Sequence, residues 1–105
     1  MTHLKVNGKL VELNEDGFLV HPEDWSEDVA RAYGILENIA ELTEDHWKVI
    51  YYLRNYYDRF RIAPMIRKLC KDTGKSQKEM ENLFPPGPLK GACKLAGLPK
   101  PAGCL

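Results

Sequence analysis

A chain of 105 residues with a hydrophobic fraction of 44% has the size of one domain and too many apolar residues for a disordered segment. No stretch approaches the roughly 20 apolar residues of a membrane span, and the first ten residues, MTHLKVNGKL, hold no apolar secretory core, so a cytoplasmic protein without direct membrane insertion is expected. The formal net charge of zero covers an asymmetry: residues 1–63 carry 7 Lys+Arg against 12 Asp+Glu, and residues 64–105 carry 8 against 3. Either the basic second half meets something negative, or the halves are two solvated faces of opposite sign.

The chain opens as a β-hairpin. Asn7-Gly8 suits a type I′ turn, which needs positive φ at both central residues. That turn sets Val6 opposite Lys9 and Leu4 opposite Val11, and puts Leu4, Val6, Val11 and Leu13 on one face. Two strands alone are marginal, so the hairpin must dock on helices. Ser26, followed by Glu27 and Asp28, caps a helix expected to run to about Leu42, with Val29, Tyr33, Leu36 and Ile39-Ala40 as its apolar stripe. Gly34 weakens that helix, and close packing is the reason to keep it. Thr43, with Glu44 and Asp45, caps a longer helix whose apolar positions are Val49, Ile50, Leu53, Tyr56, Tyr57 and Phe60.

Pro64 suits the first position of a third helix, Met65 to about Thr73, stopped by Gly74. Ser76 and Glu79 form a capping box for a fourth, ending at Phe84. Pro88 opens a fifth through about Ala96, closed by Gly97. The ending Leu98-Pro99-Lys100-Pro101-Ala102-Gly103-Cys104-Leu105 cannot be helical. A single mainly α domain over 1–105 follows: a hairpin at 1–14, a helical body at 26–96 and a mobile arm at 97–105.

Three cysteines cannot all pair within one chain. No C-x-x-C pair is present, and His3, His21 and His46 are scattered, so no metal is expected. Cys104 lies beside a glycine on a proline-rich arm, where it is poorly placed to pack and well placed for delivery into another protein's pocket. Cys93 sits in the fifth helix with Lys90 and Lys94 near it and Lys100 on the arm. Cations favour a thiolate, which would make Cys93 more reactive than Cys70; the alternative is a buried thiol facing the same core as Ala92, Leu95 and Ala96. Gly97 and Gly103 act as hinges in this reading, and closing the ten-residue loop costs only about 3 kcal/mol. Cys70, on the stripe of Ile66 and Leu69, reads as a structural cysteine. His46 could be a base for Cys93, but reads more simply as a packing and capping residue.

The run Leu42-Thr43-Glu44-Asp45-His46-Trp47, then Arg54-x-x-Tyr57 and Pro64-x-x-Arg67, resembles the DsrC/TusE family. So does the ending, Leu83-Phe84-Pro85-Pro86-Gly87-Pro88 followed by Cys93-Lys94-Leu95-Ala96-Gly97-Leu98-Pro99-Lys100-Pro101-Ala102-Gly103-Cys104. The resemblance implies a helical fold with an N-terminal hairpin. Members that relay sulfur for tRNA thiolation keep the penultimate cysteine and usually lack the upstream one; both are present here, which favours the dissimilatory branch. It implies that Cys104 enters the channel of a sirohaem sulfite reductase and captures partly reduced sulfur as a persulfide. Cys93 then attacks to give a trisulfide, and a membrane-bound thiol/disulfide reductase complex reduces it. The implied partners are the alpha and beta subunits of dissimilatory sulfite reductase. Arg54, Arg67, Lys90, Lys94 and Lys100 are candidates to bind oxyanions or an acidic partner.

No cofactor is expected, since a cluster needs four thiolates, and the chain is expected to serve as a redox-active co-substrate rather than an independent catalyst. Two alternatives come from other classes. Segments 64–73, 76–84 and 88–96 could form a helix-turn-helix-like DNA-binding unit, against which the second carries Glu79 and Glu81 beside a lone Lys78. A free-standing thiol oxidoreductase would use C-x-x-C on a βαβ fold, and the sequence has neither.

Overall fold

Asn7 and Gly8 both take positive φ, 52° and 81°, and join β1 (Thr2–Val6) to β2 (Lys9–Leu13). The strands are antiparallel with Leu4 opposite Val11 and Val6 opposite Lys9, the register that the turn predicts. Leu4, Val11 and Leu13 are buried, and Val6 packs against the same core, whereas Leu10 on the other face is exposed. The hairpin docks on the first helix. These relations come from a computed structural model that describes residues 2–39, 41–85 and 87–99.

A tight turn follows β2. The Asn14 side chain accepts from the Asp16 and Phe18 amides, and Phe18 and Leu19 are returned to the core. After a single 3-10 turn at Pro22–Asp24, Ser26 caps α1 (Glu27–Leu36) by accepting from the Val29 amide.

Helix α1 stops six residues before the expected Leu42. Asn38 takes the left-handed conformation at φ 64°. The Asn38 amide donates to Ile35 O at 3.2 Å, and the Ile39 amide to Gly34 O at 2.6 Å. This is a Schellman ending with Asn in the position glycine usually fills. Leu36 therefore lies exposed rather than on the apolar stripe, and Ile39 reaches the core from the turn instead of from the helix. Gly34 is buried, and a Cβ there would sit 3.3 Å from Leu42, which supplies the close packing expected of it.

Helix α2 (Glu44–Phe60) buries Val49, Ile50 and Leu53 completely. Its apolar stripe outlasts the core, so Phe60 is exposed. Helix α3 (Ile66–Thr73) starts one residue later than its proline suggests: Met65 is the N-cap and Pro64 precedes it. Gly74 ends α3 at φ 71°. The box of Ser76 and Glu79 opens α4 (Gln77–Leu83) with both reciprocal bonds present. Pro88 is the first residue of α5 (Pro88–Leu95). This last helix packs against α1, α2 and α4 and buries Ala92, Cys93 and Leu95.

Part of the charge asymmetry is spent inside the molecule. Lys75 reaches Asp45 at 2.8 Å and Lys94 reaches Glu37 at 3.0 Å, each joining the basic half to the acidic one.

His46 ties the start of α2 to the end of α4. Its Nδ1 accepts the Thr43 amide at 3.0 Å, and its Nε2 donates to Leu83 O at 2.8 Å; since a carbonyl only accepts, the proton sits on Nε2. The ring is buried, edge-on to Phe84. His46→Ala strands that carbonyl and the cap amide together, and should lower stability by about 1–3 kcal/mol in equilibrium urea unfolding. A loss below about 0.5 kcal/mol, the usual range for inert surface changes, would contradict this role.

Candidate functional site

The last four carbonyls of an α-helix have no partner within it. In α5 each of them finds one. Gly97, at φ 74°, donates its amide to Lys94 O at 3.1 Å, and Leu98 donates to Cys93 O at 3.0 Å, a second Schellman ending. The Trp25 indole Nε1–H donates to Leu95 O at 2.7 Å. Arg54 Nη1 donates to Ala96 O at 2.8 Å. The Arg54 guanidinium also lies 3.8 Å from the Trp25 ring centroid, so the two side chains clamp the helix end as one unit.

Gly97 is fixed by this clamp. A Cβ there would meet Trp25 Cδ1 at 2.5 Å, closer than any real side-chain contact. The expected hinge at Gly97 is thus a packed corner, and Leu98 beside it is buried. A shallow groove of about 140 Å³ opens there, lined by Pro22, Arg54, Tyr57, Asp58, Arg61, Gly97 and Leu98.

Cys93 is fully buried. It lies in the core beside Ala92, Leu95 and Ala96, as in the alternative reading of its position. Cys70 keeps partial exposure, so the expected reactivity order of these two thiols is reversed by access. Desolvation raises the Cys70 thiol above its ordinary value. Lys94 is held by Glu37 and lies over the Phe18 ring. Burial lowers the pKa of Arg54, whose Nη1 donates to Ala96 O at the helix end. Arg67 is exposed on α3. Cys104 and Lys100 lie outside the described residues, and so does the side chain of Lys90.

Trp25 was not singled out by sequence reasoning. An apolar residue directly before an N-cap is a recognised helix-entry signal, but its bond to Leu95, 70 residues away, has no local signature. Among the described residues there is no group of three or more His, Cys, Asp or Glu that could hold a metal ion. Nor is any described helix long and apolar enough to cross a membrane.

A helical domain with an N-terminal hairpin, built so that its final helix is pinned where the C-terminal segment departs, is the class of protein this describes. A family model described as DsrC like protein matches residues 5–105, and the chain belongs to that family. It is 49% identical to a protein of Haemophilus influenzae named sulfurtransferase TusE homolog, over 97% of this chain and 99% of that one. It is 47% identical to the dissimilatory-type sulfite reductase subunit gamma of Nitratidesulfovibrio vulgaris, over the whole of both. The crystal structure of the oxidized gamma subunit of dissimilatory sulfite reductase from Archaeoglobus fulgidus superposes with a TM-score of 0.86 at 44% identity, covering 99% of this chain and 100% of that one.

Access and thiol acidity together set the labelling order in the native protein. Cys70 should react with an alkylating reagent before Cys93, and its rate should still be climbing with pH above the ordinary thiol range, because its thiolate is disfavoured there. Peptide-resolved mass spectrometry reads both sites. Faster labelling of Cys93 than of Cys70 would contradict the buried placement.

Proposed function

We propose that this protein carries sulfur on Cys104 as a co-substrate of dissimilatory sulfite reductase in the cytoplasm, with Cys93 as the second thiol. The observation that carries the reading is the position of Cys93. It is buried in the last turn of α5, and its carbonyl is tied to Leu98, from which the chain runs on to Cys104. The six residues after Leu98 span at most about 20 Å, enough for a thiol to enter a neighbouring protein and return. The identity to a sulfite reductase gamma subunit over its full length supports the choice of partner.

The chemistry closes as follows. The reductase supplies two electrons to sulfite, and Cys104 takes up the sulfur while it still carries an oxygen, as Cys–S–S–OH. The Cys93 thiol attacks the outer sulfur and water leaves, giving Cys93–S–S–S–Cys104. A plain persulfide would not do: thiol attack on its outer sulfur would have to expel hydride, and attack on its inner sulfur would release sulfide and leave a disulfide. A membrane-bound thiol/disulfide reductase then supplies four electrons and four protons, releasing hydrogen sulfide and both thiols. The sirohaem belongs to the sulfite reductase; this chain contributes the two thiols and their placement.

A second reading has one observation in its favour, the 49% identity to a protein named as a sulfurtransferase TusE homolog. In a relay for tRNA thiolation, Cys104 would accept and pass on a persulfide, and Cys93 would be dispensable.

Intact mass after incubation with sulfite reductase, sulfite and an electron donor separates the two. Wild type should gain one sulfur with Cys93 and Cys104 both protected from alkylation. Cys104→Ala should gain none. Cys93→Ala should load sulfur on Cys104 and stay open there. Loading of Cys104→Ala at the wild-type rate would refute delivery by Cys104. Absence of any loading from sulfite, with persulfide uptake from a sulfurtransferase that is indifferent to Cys93→Ala, would favour the relay.

A further inference from the structure

Cys93 has no exposed surface, yet the proposed role requires its sulfur to meet another. Reaction therefore needs a local opening, and the described contacts that hold the end of its helix are these. The helix end over Cys93 is closed by its own ending, in which Leu98 holds the Cys93 carbonyl, and by two side chains from elsewhere in the fold. Trp25 holds Leu95 O and packs against Gly97; Arg54 holds Ala96 O and stacks on Trp25. Among the described residues neither side chain makes another hydrogen bond, so the helix end is their main polar task there.

We propose that Trp25 and Arg54 are positioning residues that act as a latch on Cys93: they hold residues 93–98 shut, so that the second thiol reacts only when this turn opens. The consequence is that Cys93 is withheld from stray oxidants and alkylators until the latch releases. The inference deepens the assignment of Cys93 as the second thiol and rests on that reading for its purpose. Its physical content does not depend on sulfite, because withheld reactivity can be measured on the protein alone.

Two substitutions separate the latch from general stability. Trp25→Phe keeps Cβ, Cγ and Cδ1, the atoms that meet Gly97, and removes the donor to Leu95 together with the fused ring. Arg54→Gln removes the cation and most of the donor fork; Arg54→Lys keeps a cation and a donor. Labelling of the full-length reduced chain in the absence of denaturant, resolved by peptide mass, gives the rate at Cys93 and at Cys70 separately. Trp25→Phe and Arg54→Gln should each raise the Cys93 rate by roughly tenfold, the effect of losing one hydrogen bond to a charged or buried partner, while Cys70 stays within about twofold. Arg54→Lys should recover much of the protection. Val11→Ala, a truncation in the hairpin, serves as the reference for global destabilisation, with the urea midpoint measured for every variant. The proposal is overturned if the Cys93 rate is unchanged in Trp25→Phe and Arg54→Gln. It is equally overturned if Cys93 and Cys70 accelerate together in step with the urea midpoint, as in Val11→Ala. Failure of sulfur loading in the enzymatic assay, with the labelling result intact, would count against the sulfur-carrier reading alone.

Discussion

The carbonyls of Cys93, Lys94, Leu95 and Ala96 point out of the end of α5, where the helix itself offers them nothing. Two are taken by the chain turning back on itself at Gly97 and Leu98. The other two are taken by Trp25, from the segment before α1, and by Arg54, from the middle of α2. That closure fixes Gly97 and Leu98 against the body and joins the segment before α1, the middle of α2 and the end of α5 at one point. Glycine at 97 follows from it, since only a residue without Cβ can meet Trp25 so closely at a left-handed φ.

The same closure shapes the chemistry. Of the two described thiols, Cys70 is partly exposed and Cys93 is buried, so access separates them. Lys94, which looks in sequence like a cation beside Cys93, pairs with Glu37. In the latch proposed above, Cys93 is governed by release of a helix turn. Such small openings lie at the low-energy end of a protein's motions, and a handful of hydrogen bonds is the right size of barrier for them.

Much of the fold was legible in local signals. Asn7-Gly8 dictated the hairpin and its register; Ser26, Thr43 and the Ser76/Glu79 box marked helix starts; Gly74 and Gly97 marked helix ends. Those features are decided by backbone conformation within four or five residues. The end of α1 was misread because the hydrophobic period continues past Leu36, whereas Asn38 ends the helix by adopting the left-handed conformation. Phe60 was misread because a periodic stripe does not reveal where the core it faces runs out. The candidate site was legible only in its cysteines. The Trp25–Arg54 clamp spans 70 and 42 residues to its carbonyl partners, and no spacing rule covers contacts of that range. Arg54 was singled out as an anion binder; its bond to Ala96 O and its contact with the Trp25 ring had no signature in the sequence.

The rigid end of α5 is the claim on which the placement of Cys93 rests, and amide hydrogen exchange at Leu98 tests it most directly. This amide belongs to the last described turn and bonds to the Cys93 carbonyl. If the helix end is closed, the Gly97 and Leu98 amides should exchange at least about a hundredfold more slowly than in a free peptide. Exchange of Leu98 at the free-peptide rate would mean that the chain is already loose at Cys93.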